Sequence, residues 1–126
     1  MILVIEPGQK ASIQRQFSRD DIRGFAALAD CPPGDLDHVP EPLIAALFSY
    51  LLGVKLPGPG TNYLKQELEF LQAAPLDAVL SAEVTVTALR PEKHLCDLAT
   101  LLLDETGQVL ARGRALVLIR DVARTP

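Results

Sequence analysis

The chain has 126 residues, 48% of them hydrophobic and 22% charged, with a formal charge of −4 and a pI near 5.1. That balance excludes the charge-rich, apolar-poor composition of disordered chains, and the length predicts one domain over residues 1–126 with one core and one site. No run of Lys and Arg is present to meet a phosphate backbone or an anionic lipid, so neither nucleic acid nor membrane is expected as a partner.

In chain order, the opening apolar run Met1 to Ile5 is cut by Glu6, Pro7 and Gly8. It is shorter than a signal-peptide core of about 7–15 apolar residues and has no basic start, which predicts a cytoplasmic protein. From Gln9 to Phe17 the residues Ala11, Ile13 and Phe17 share one parity, the pattern of a half-buried strand. Ser18 followed by Asp21 opens a helix, because the hydroxyl can accept an unpaired N–H and carboxylates suit the positive helix end. Its expected buried stripe is Ile22, Phe25, Ala26 and Ala29.

Between Asp30 and Pro42, four prolines and Gly34 block regular hydrogen bonding and predict a loop. Leu43 to Leu52 follows, apolar on nearly every side and bounded by Pro42 and Gly53. Such a helix is expected to be buried all round, yet it is far shorter than the ~20 residues of a membrane span. Protein must therefore wrap it.

Four strands are predicted to do so, over Thr61 to Leu71, Val79 to Leu89, Lys93 to Leu103 and Val109 to Arg120, with a hairpin turn at Asp104 to Gln108. Asn62, Leu64, Gln66, Leu68 and Phe70 share one parity, and Ala82, Val84, Val86 and Ala88 do the same in the next strand. A strand, a short helix, an apolar helix and four antiparallel strands make an α+β chain with the element order of a hot-dog domain, a long central helix wrapped by a curved sheet.

The segment from Phe48 to Phe70, and within it Leu56-Pro57-Gly58-Pro59-Gly60-Thr61, closely resembles the MaoC-like (R)-specific enoyl-CoA hydratases. The similarity runs back through Phe17 to Leu28 and forward to Gly107 to Ala115. It implies a hydratase or dehydratase acting on an enoyl or 3-hydroxyacyl thioester of CoA or an acyl carrier protein, with no cofactor or metal. It also implies a homodimer whose sites borrow residues from both chains; a single copy would leave a bare sheet edge.

The family's catalytic loop reads roughly Gly-Asp-x-Asn-Pro-Leu-His, its Asp and His handling water across the double bond. Here one register puts Asp30 at the acid position and Asp35 where His belongs, and another puts Cys31 at the acid. The loop is also shorter, and the His-Gly before the buried helix appears as Pro40-Glu41. An Asp cannot mimic an imidazole that both donates and accepts, so the ordinary pair is broken. The catalytic candidates are Asp30 as base, His38 as displaced proton donor, and Glu41 as a thioesterase-type carboxylate. The resemblance also gives Ser49, Gly60 and Tyr63 as substrate contacts, with Gln66 shaping the acyl tunnel. Two readings from other classes stand beside the hydratase: a thioester binder without turnover, and a thioesterase using Glu41. Cys31 and Cys96 read as reduced thiols, and His94 as a structural residue in a strand.

Overall fold

The computed structural model describes residues 5–30 and 37–122. Five strands form one antiparallel sheet: β1 (Lys10–Arg15), β2 (Asn62–Phe70), β3 (Leu80–Arg90), β4 (Leu95–Leu103) and β5 (Val109–Leu118). Their spatial order is β1-β3-β4-β5-β2, which leaves β1 and β2 at the edges. Two helices, α1 (Arg19–Leu28) and α2 (Glu41–Tyr50), lie between β1 and β2 in sequence.

Helix α1 starts as its first residues require. The Ser18 hydroxyl accepts from the Asp21 N–H at 3.2 Å, and the Asp21 carboxylate accepts from the Ser18 N–H at 2.8 Å, a reciprocal capping box. Ile22 and Ala26 are buried and Phe25 half-buried, but Ala29, expected on the buried stripe, is exposed at the C-cap. Its backbone is still near-helical, its N–H donating to Phe25 O at 2.9 Å, but the packed part of α1 ends at Ala26.

Helix α2 begins two residues before the predicted start. Pro42 sits inside its first turn, where a missing N–H costs no hydrogen bond. Gly53 does not stop it; a single wider π-helical turn, Leu51–Lys55, carries the chain on, closed by the Leu56 N–H donating to Leu51 O at 2.8 Å. Ile44, Leu47, Phe48, Leu51 and Leu52 are buried and share one core with Val84 and Val86 of β3, Leu98 and Leu102 of β4 and Val117 of β5. Burying each such side chain contributes roughly 1.5–3 kcal/mol before entropy is counted. All-round burial does not hold in one copy of the chain: Ala46, Ser49 and Tyr50 are exposed on the side turned from the sheet.

Two bulges explain where strict alternation fails. The β2–β5 register slips between Tyr63 and Lys65, and Leu64, expected to face inward, is 53% exposed. The β3–β4 register slips between Val86 and Ala88, turning Ala88 outward and leaving Leu89 to pack against the core. The predicted start of β4 at Lys93 is corrected to Leu95. Pro91–Lys93 form a 3₁₀ turn and His94 takes a left-handed conformation with φ of 57°, so His94 lies in the turn and not in a strand. The Asp104 to Gln108 hairpin turn forms as expected, with Asp104 N–H donating to Gln108 O at 3.0 Å and Gly107 at positive φ.

Candidate active site at the start of the central helix

The segment entering α2 is tied to the chain that follows β2. Val39 N–H donates to Ala74 O at 2.8 Å, and His38 forms an isolated antiparallel bridge with Pro75. This clamp opens a pocket of about 410 Å³ between the start of α2 and the end of β2, within the range of roughly 300–1,000 Å³ usual for ligand sites. Its walls are mostly apolar, including Val39, Ile44, Phe70 and Leu71, and among the described residues its ionisable side chains are His38 and Glu41.

His38 is half-buried and Glu41 exposed at the mouth. No ion pair within 4.0 Å joins them, and among the described residues neither side chain has a hydrogen-bond partner. The backbone adds a third group. Leu43 and Ile44 both donate to Pro40 O, at 3.0 and 3.4 Å, and Pro42 has no N–H. The Glu41 N–H is therefore the first-turn donor with no backbone acceptor among the described residues, at the helix end whose dipole favours an anion.

The other candidates lie elsewhere. Asp30 closes α1 in a left-handed conformation (φ 54°), its N–H donating to Ala27 O at 3.2 Å, and it does not line the pocket. Cys31 and Asp35 fall outside the described residues. Ser49 is exposed on α2, two turns beyond Glu41.

Gly60, with φ of 96°, packs against chain rather than against a cavity: a β-carbon there would overlap the Asp121 carbonyl oxygen. Its loop is held by the Thr61 hydroxyl donating to Gly58 O at 2.7 Å. Tyr63 stands on the edge strand β2, and partial burial pushes its phenol up to about 12. Gln66, half-buried on the inner side of β2, has an Nε2 group fully buried with no partner among the described residues.

Two residues escaped sequence reasoning. Gln72 lines the pocket beside His38, and nothing marks a glutamine just past a strand as a wall of a distant helix start. Thr100 is buried on β4 with a hydroxyl that has no hydrogen-bond partner among the described residues, hidden in a run of leucines whose alternation it continues.

The chain is 37% identical over 126 residues to an (R)-specific enoyl-CoA hydratase from Aeromonas caviae, a match covering 90% of this chain and 94% of that protein. It belongs to the (R)-specific enoyl-CoA hydratase family. A second (R)-specific enoyl-CoA hydratase, from Rhodospirillum rubrum, is 34% identical over 91% of this chain and 88% of its own length. The solved (R)-hydratase from A. caviae involved in PHA biosynthesis superposes on this hydratase-family chain with a TM-score of 0.81 at 34% identity. That superposition covers 90% of this chain and 96% of that one. A MaoC-like dehydratase structure from R. rubrum matches at TM-score 0.70 and 20% identity over 97% and 95% of the two chains, a likeness of hot-dog fold. No family model matches the chain.

Proposed function

We propose that the chain is an acyl-thioester hydratase/dehydratase, adding water across the double bond of an enoyl thioester or removing it from the 3-hydroxyacyl product. The observation that carries this reading is the apolar pocket at the start of α2, lined by His38 and by Glu41, whose N–H has no backbone acceptor among the described residues. Hydration needs those parts. One group takes a proton from water, another delivers a proton to the α-carbon, and the thioester oxygen needs a donor while it carries negative charge. His38 is the proton donor in this reading, and the Glu41 N–H receives the oxygen. Apolar walls suit the acyl chain, and the carrier is CoA or an acyl carrier protein.

The working unit in this reading is a cytoplasmic homodimer of one-domain chains joined along β2. That strand is an unpaired sheet edge carrying the exposed Tyr63 and Leu64, and α2 exposes Tyr50 on its outward side. A bare edge with apolar side chains is an invitation to pairing. Among the described residues no helix is long and apolar enough to cross a membrane.

The test is turnover by purified protein on a short trans-2-enoyl-CoA, read as loss of the conjugated thioester. Hydration that His38→Asn reduces by about 10²-fold or more supports the reading. Thiol release from a saturated acyl-CoA, without hydration, would replace it with the thioesterase.

A further inference from the structure

Three observations bear on which residue takes the proton from water. Asp30 does not line the pocket that His38 lines; Glu41 does. Glu41 and His38 are three residues apart, but the first sits on the first turn of α2 and the second on the extended segment clamped to Ala74 and Pro75. They therefore approach the cavity from separate supports. Finally, a carboxylate and an imidazole in contact would neutralise each other, whereas no ion pair within 4.0 Å joins these two, and neither has another side-chain partner among the described residues.

We infer that Glu41 is the general base of this site and forms, with His38, a relocated acid/base pair that straddles the substrate double bond. The inference rests on the hydratase reading above and specifies which side chains perform it. Glu41 carboxylate takes a proton from water as the water oxygen bonds to the β-carbon. The π electrons of the double bond move to the α-carbon and thioester carbonyl, giving an enolate whose oxygen accepts from the Glu41 N–H. His38 then gives an N–H proton to the α-carbon. The proton on Glu41 returns to His38 through solvent, so one water is added and both residues are reset.

The same residue thus offers its N–H to the oxygen and its carboxylate to the water. The two uses are compatible because a carboxylate that has taken the water's proton is neutral and no longer repels the oxygen that accepts from the Glu41 N–H. In the usual family pattern that position is a glycine, which can supply only the N–H. The carboxylate is this chain's own addition, in a sequence whose ordinary loop places Asp35 where a His is expected.

The experiment measures hydration of a short trans-2-enoyl-CoA by the full chain and by Glu41→Gln, Glu41→Asp and Asp30→Asn, as kcat, KM and pH profile. Glu41→Gln keeps the backbone N–H and the side-chain shape, so the expected result is a fall in kcat of about 10²-fold or more with KM changed much less. The acid limb of the kcat profile should disappear with it. Glu41→Asp should retain that limb at a reduced rate, which a merely structural role would not produce. Undiminished kcat in Glu41→Gln, with the loss falling on Asp30→Asn, would overturn the assignment while leaving the hydratase reading intact. A wild-type chain that binds enoyl-CoA without hydrating it would overturn both.

Discussion

Gly113 of β5 lies so close to Glu67 of β2 that a β-carbon on the glycine would overlap the Glu67 carbonyl oxygen. The neighbouring pairs, Leu68 with Gly113 and Gln66 with Ala115, fix the register that holds the edge strand on the sheet. The backbone of β2 is thus seated against β5 by the absence of a side chain. Its far end at Phe70, with Leu71 just past it, lines the same pocket as His38.

Gly113→Ala should therefore destabilise the chain by about 1–3 kcal/mol, the usual cost of forcing extra atoms into a packed site. Chemical denaturation measures it. Because the displaced strand also forms a pocket wall, residual activity under native conditions should fall as well. Equal stability in the variant would mean that the two strands separate freely at this point.

Ser18→Ala should cost about 1 kcal/mol, because it leaves the Asp21 N–H without its acceptor at the start of α1. Equilibrium unfolding gives the number. Activity should be little changed, since α1 contributes no side chain to the pocket at the start of α2.

The Asp104 carboxylate accepts from the Thr106 hydroxyl at 2.7 Å and from the Thr106 and Gln108 N–H groups at 2.8 and 2.9 Å, which holds its pKa below the usual carboxylate value. A depressed folded pKa contributes stability that is present above the unfolded value, about 3.9, and is lost as pH falls through the folded one. Asp104→Asn should therefore melt earlier than wild type at neutral pH, with the gap closing as the solution is acidified below the unfolded value. A gap independent of pH would show that the charge of the turn is immaterial.

How far the sequence foretold this structure differs by element. Helix α1 and the Asp104 turn were legible because their signals are local: a hydroxyl three residues before a carboxylate, and an aspartate closing a glycine-bearing hairpin. The core face was legible in Ala82, Val84 and Val86, whose alternation is set by the pleat of β3. Leu64 and Ala88 were misassigned because a bulge adds a residue without leaving a compositional mark. His94 was assigned to a strand because nothing but its backbone angle distinguishes the left-handed turn. At the candidate site, His38 and Glu41 stood out from residue type and position before the apolar helix. Their shared pocket was not legible, because its other wall, Phe70 to Ala74, is brought to them by the Val39 to Ala74 hydrogen bond and the His38 to Pro75 bridge, across more than thirty residues of chain.

Cys96 is fully buried on β4, and burial, reinforced by the neighbouring Asp97 charge, pushes its thiol up to about 11. In a Cys31→Ser chain, where Cys96 is the remaining thiol, native protein should resist alkylation at neutral pH and react fully once denatured. Rapid labelling of the native chain would place β4 outside a stable core.

Addition of water to an enoyl thioester at the start of α2, as proposed above, is tested by following both products of one reaction mixture. Purified chain is given a short trans-2-enoyl-CoA, and 3-hydroxyacyl-CoA and free CoA thiol are quantified together over time. The expected result is accumulation of the 3-hydroxyacyl thioester without thiol release, and loss of that product in His38→Asn. Thiol release in place of hydration, or hydration undiminished in His38→Asn, would contradict it.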